Sequence, residues 1–118
     1  MNLLLIGSIS GCLVVILGAF GAHYLKNVLD DYTFSIYEKA ILYQMFHTVA
    51  ILFLAILEKI ISNIQLQFIG LVFFVGIIIF SGSLYLIALT GIRSFGALTP
   101  IGGLLFIIGW ILLALKAF

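Results

Sequence analysis

The sequence predicts an all-α, polytopic membrane protein, a four-helix transmembrane bundle with short loops. Three observations carry this. Apolar residues make up 65% of the 118 and charged residues only 8%, against about half and about a quarter in an ordinary soluble domain. The mean hydropathy is +1.43. The charges also fall into a few groups, leaving four long uncharged stretches between them. A soluble fold of this length has too little interior to hide so many apolar side chains; lipid removes the difficulty.

A spanning helix needs roughly 20 apolar residues, because each adds about 1.5 Å across about 30 Å of hydrocarbon. The first stretch, Met1–Leu25, has no charged side chain and predicts a helix over about 3–25. It lacks the basic start of a removable signal peptide, so the mature chain is expected to keep it. The second uncharged run, Ala40–Leu57, ends at Glu58 and Lys59. Ahead of it, Ser35-Ile36-Tyr37-Glu38 has the form of a capping box with Ser35 as N-cap. That places the helix over about 36–58, beginning outside the lipid. In the third stretch Ser62, Asn63, Gln65 and Gln67 mark a loop, and the helix is expected over about 66–90. The last helix is set at about 100–116, with Thr99 as N-cap and Pro100 at the first helical position. Some 17 residues is the lower limit for a span. Either that helix is short, or Gly91–Leu98 folds against the bundle inside the membrane, which non-helical backbone tolerates only when protein buries it. The whole chain, 1–118, is then one transmembrane domain. A membrane barrel would show alternating segments of about ten residues, and no internal repeat is evident.

Composition excludes several functions. A net charge of +1 with no basic cluster gives no surface for nucleic acid. The single cysteine, Cys12, rules out an intrachain disulfide framework and any multi-cysteine metal site. Its setting beside Ile9, Ser10 and Gly11 superficially resembles a lipoprotein cleavage box, but no basic residue precedes it and the apolar lead-in is short. Cys12 is expected as a small buried helix residue.

In lipid, helices associate through close packing at small residues and through interhelical hydrogen bonds. Gly7, Gly11, Gly18 and Ala22 share one face of the first helix, a groove for another helix of the same chain, with homodimer formation as its second use. Gly102 and Gly109, with Gly103 beside them, offer a similar face on the last helix. Ser81-Gly82-Ser83 places two hydroxyls inside the third.

The second helix carries the most informative stripe. Tyr37, Gln44, His47 and Thr48 lie on one face, and uncharged polar groups in lipid need partners. With His23, Tyr43, Ser81, Ser83 and Tyr85, these define a candidate polar seam. The leading expectation is a structural hydrogen-bond network joining the first three helices. A proton relay, a ligand pocket and a paired-histidine cofactor site stay open beside it. No intramembrane carboxylate completes a proton path, and His23 and His47 sit at different depths, which strains coaxial ligation. No cofactor or metal is expected. Arg93 and Thr99 are candidate loop anchors, with Arg93 reaching an anionic headgroup, Glu38 or Asp31. Lys26, Lys39, Lys59 and Lys116 can snorkel to the interface. Lys26, Lys39 and Arg93 on one side, against Lys59, Lys116 and the terminal amine on the other, do not set an orientation.

The motifs together form a recognisable set. They are Gly18-Ala19-Phe20-Gly21-Ala22-His23, Tyr43-Gln44 with His47, Phe80-Ser81-Gly82-Ser83-Leu84-Tyr85, Ala88-Leu89-Thr90-Gly91 leading through Arg93 to Thr99-Pro100-Ile101-Gly102-Gly103, and Gly109-Trp110. In this order, over nearly the whole chain, they resemble the membrane-protein family known as domain of unknown function 423, or uncharacterised protein family 0382. The resemblance implies a small multi-helix membrane protein, chiefly of bacteria. It brings no established activity and no catalytic residue.

The chain is therefore expected to be a non-enzymatic accessory or assembly component of a bacterial inner membrane. Its partners would be the lipid bilayer and either further copies of itself or another membrane protein. The alternative is a small channel, transporter or ligand-binding bundle, with His47, Gln44, Ser81, Ser83 and Tyr85 lining a cavity. A membrane-embedded enzyme would need a nucleophile–base pair or a ligand set that the sequence does not offer.

Overall fold

Every loop in this chain is short enough to make consecutive helices neighbours, and the fold follows from that constraint. A computed structural model describes residues 1–117. Four of its helices are long and apolar enough to cross a membrane.

Helix α1 spans Leu3–Val28. Asn2 caps it, its side chain accepting the Leu5 amide at 3.1 Å. The helix is regular over Leu3–Phe20, widens into a π turn at Gly21–Leu25 and closes with Lys26–Val28. A widened turn needs a local cause, and Tyr37 of the next helix supplies one. Its ring lies where a side chain at Gly21 would be, 2.5 Å from an ideal Cβ. Its hydroxyl donates to the Leu17 carbonyl at 2.6 Å. Only glycine admits that ring.

Helix α2 spans Asp31–Ile60, starting well before the expected residue 36. The N-cap is Asp30, which accepts the Thr33 amide at 2.7 Å, with Asp31 adding negative charge to the first turn. Ser35 lies inside the helix and its hydroxyl donates back to the Tyr32 carbonyl. The amide and hydroxyl of Thr33 hold the Asp30 carboxyl below the ordinary aspartate range. At about 1.5 Å per residue the helix is about 45 Å long, so a good part of it stands clear of the hydrocarbon.

Helix α3 spans Gln67–Thr90, one residue from expectation. It has no cap of its own. Glu58, in the last turn of α2, accepts the Leu66 amide at 2.6 Å and also the Gln67 side-chain amide. One carboxylate thus closes the loop and caps the next helix. At its other end Gly91 adopts φ +73°, the left-handed C-cap that glycine takes without strain.

Helix α4 spans Thr99–Leu115, preceded by a 3₁₀ turn at Arg93–Ala97. Seventeen residues give about 26 Å, and a 3₁₀ turn rising about 2 Å per residue supplies the remainder. The connection therefore belongs to the span. Thr99 is not the N-cap: Leu98 holds that position, and the Thr99 hydroxyl bonds to Ser83 instead.

The bundle measures 49 × 27 × 19 Å. Helices α2 and α3 pack on each other at its centre, α1 lies against α2 and α4 against α3, while α1 and α3 touch only lightly. Of the most apolar stretch of each span, 44% is buried in α2 and 39% in α3, but only 17% in α1 and 17% in the last. The core joins Leu3, Ile51, Leu54, Leu66, Phe73 and Phe106. Small residues set these contacts in part as expected. Leu52 fills the space at Gly7, and Thr48 lies beside Gly11, but a Cβ added at Gly18 would meet nothing within 4 Å among the described residues. Cys12 is exposed rather than buried. The inward stripe of α1 is Leu3, Gly7, Ser10 and Val14, and Cys12 falls off it.

Candidate functional site

Gln44, His47 and Thr48 are fixed on the inner face of α2 by helical spacing, and each is at most 4% exposed. From them a seam of hydrogen bonds reaches every other helix. Towards α1, the Thr48 and Ser10 hydroxyls bond at 2.6 Å. The Gln44 side-chain nitrogen donates to both the carbonyl and the hydroxyl of Ser10, each at 3.4 Å. Towards α3, Tyr85 donates its hydroxyl to the Gln44 side-chain oxygen at 2.7 Å, and Ser81 donates to the Ala40 carbonyl at 2.8 Å. The Tyr37 and Tyr85 rings meet at 5.3 Å. Between α3 and α4, Ser83 and Thr99 share a hydroxyl bond of 2.6 Å.

His47 links α2 to α4. The Trp110 indole N–H can only donate, and it points at His47 Nε2 from 3.2 Å. Nε2 is therefore the acceptor and the ring proton sits on Nδ1, which donates to the Tyr43 carbonyl at 2.8 Å. The neutral imidazole is the form these two bonds require. It stacks on Phe106 with centroids 3.5 Å apart and planes 6° from parallel, and Phe46 meets it edge-on. No buried side-chain nitrogen or oxygen among the described residues lacks a partner.

The structure thus brings together five of the seven expected seam residues: Gln44, His47, Ser81, Ser83 and Tyr85. His23 falls outside. It is exposed in the π turn of α1, because the inward positions there go to Gly21 and Leu25. Tyr43 contributes its carbonyl, while its ring lies at the bundle edge, 41% exposed, against Phe80. Two partners were missed. Ser10 differs from the exposed Ser8 only by its place on the Gly7–Val14 stripe, a faint signal. Trp110 stands in the Gly109-Trp110 motif, but the motif does not show its role, which depends on α4 packing beside His47. Arg93 stands over the ring of Tyr32 in the first turn of α2, 5.7 Å from its centroid, rather than on Glu38 or Asp31.

Four spans, short connections and a seam closed on itself define a small polytopic membrane protein. The family described as protein of unknown function (DUF423) matches residues 17–103. The UPF0382 membrane protein of Staphylococcus saprophyticus is 45% identical over 115 residues, covering 98% of this chain and 95% of its own length. That of Staphylococcus haemolyticus is 44% identical, covering 98% and 93%. A third, from Staphylococcus epidermidis, is 46% identical over 112 residues, covering 95% and 91%. No solved structure matches. The chain belongs to the DUF423 (UPF0382) family of membrane proteins, a family of unknown function.

Proposed function

We propose that the protein is a non-enzymatic accessory or assembly component of its membrane. The observation that carries this reading is that the seam spends its polar groups on one another. Hydroxyls, amide and imidazole tie α2 to α1, α3 and α4, and the neutral imidazole is held between two partners rather than offered to water or a substrate. Such a network positions helices. A water-filled channel would leave polar atoms free along a continuous path, and a proton relay would carry an ionisable chain from one surface to the other. The outer faces of α1 and of the last span supply lateral surface for a second copy or for another membrane protein.

The test is mild chemical cross-linking in native membranes, followed by purification and mass spectrometry. The expected result is a reproducible stoichiometric protein neighbour or a homo-oligomer whose cross-links map to α1 or α4. A chain recovered only as a monomer, with cross-links to no recurrent neighbour, would overturn the proposal.

A further inference from the structure

Because α1 and α3 touch only lightly, a cleft remains between them, open sideways to the lipid. Its volume is about 460 Å³, within the range of about 300–1,000 Å³ usual for small-molecule sites. Along α1 it extends from Ile6 to Leu17, about 16 Å of helix. Apolar side chains make its walls, Phe74 and Tyr85 stand near opposite ends, and α2 forms its floor through Gln44. Apolar walls with a few convergent polar groups are the usual composition of a ligand site.

Two details mark the cleft as more than a packing fault. The first is Gly82 on its α3 wall, where an added Cβ would meet nothing within 4 Å. Glycines that seat a neighbouring helix look different here: at Gly102 the same atom would lie 2.4 Å from the Phe80 backbone. The second is the Gln44 side-chain nitrogen. Among the described residues its acceptors are the two oxygens of Ser10, both at 3.4 Å, beyond the 2.7–3.2 Å of a well-made N–H···O bond. A donor held by such long bonds in a residue 4% exposed has room for a shorter bond to a better-placed acceptor. It lies about 8 Å along α2 from Lys39 and about 21 Å from Glu58, inside the uncharged stretch.

We propose that this cleft binds a neutral, membrane-soluble carbonyl compound, its carbonyl oxygen accepting a hydrogen bond from Gln44 and its apolar body lying along α1 and α3. Two sources share that chemistry, a prenylated quinone and the ester carbonyl of a diacylglycerol. The aromatic ring of Tyr85, whose hydroxyl meets Gln44, favours the flat ring of a quinone. The proposal goes beyond the accessory role, and ligand binding is measured separately from protein neighbours, so either can fail alone.

The experiment uses the full chain in nanodiscs of saturated phosphatidylcholine and measures the rise in unfolding temperature on titration with a short-chain prenylated naphthoquinone and, separately, with dioctanoylglycerol. The expected result is a saturable rise with the quinone. Gly82→Leu, which fills open space, is expected to weaken that binding by about tenfold or more with no loss of unliganded stability. Leu13→Trp, on the facing wall, serves as an independent block should the first variant fold poorly. Gln44→Met should weaken the quinone and have no effect on a prenylated hydrocarbon lacking the carbonyl. Binding of the glyceride alone, lost in the same variants, would keep the carbonyl site and assign it to the lipid. No binding of either probe, or binding that both wall variants leave intact, would overturn the proposal.

Discussion

The interface between α3 and α4 and the gap between α1 and α3 are both written in glycine, yet they are opposites. At the first, backbones close completely. An ideal Cβ on Gly102 would sit 2.4 Å from the Phe80 nitrogen, one on Gly76 would meet the Phe106 ring, and one on Gly109 the Phe73 ring. At the second, Gly82 faces open space. Lipid does not force helices together as water does, so a glycine draws a neighbour close only where a complementary side chain or backbone waits opposite. A glycine pattern alone does not say which has happened.

The sharpest way to break the comparison is Gly102→Ala. The colliding atoms are backbone and cannot swing aside, so the loss should approach about 3 kcal/mol, the upper part of the usual overpacking range, read as a fall in unfolding free energy in SDS titrations of micelle-bound protein. Gly109→Ala meets a ring that can turn, and should cost less in the same assay.

Trp110→Phe should come next. It keeps the packing against Phe46 and Phe73 but removes the donor to His47 Nε2. Interhelical hydrogen bonds in membranes average about 0.6 and reach about 1.7 kcal/mol, so a loss of about 1 kcal/mol is expected. Loss of the Trp110 indole should also change the imidazole ¹⁵N shifts of His47. Shifts that do not move would show that the bond is not made.

Gly82→Ala should be neutral or stabilising, by up to about 1 kcal/mol, since the added methyl meets nothing and the helix loses its most flexible residue. A clear destabilisation would mean that the cleft is closed in the membrane. The smallest effect is expected outside the lipid. Because folding lowers the Asp30 pKa, its capping contribution is present above the unfolded value and lost as pH falls through the folded one. The protection factor of the Thr33 amide against hydrogen exchange should therefore fall in acid, and Asp30→Asn, which caps without titrating, should flatten that response.

Much of this architecture was legible beforehand. Four uncharged stretches place four spans, and the boundaries of α3 and α4 lie within a residue or so of expectation. The start of α2 was misplaced because two capping signals, Asp30 and Ser35, lie within five residues, and only backbone geometry selects between them. The inward face of α2 was legible because Gln44, His47 and Thr48 are polar groups that lipid cannot solvate. Ser10 and Trp110 were not, because a hydroxyl can bond within its own helix and an indole is as much apolar as polar.

The sequence by itself determined the class of protein, the number of spans and the need for a polar seam, since all three follow from the cost of exposing charge or unpaired polar groups to hydrocarbon. Only the tertiary structure decided which helices touch, which glycines close an interface or leave a cleft, and that Trp110 rather than His23 completes the surroundings of His47. Those outcomes depend on the rotation and offset of one helix against another. A one-dimensional pattern of residues does not encode them until the side chains of both helices are in place.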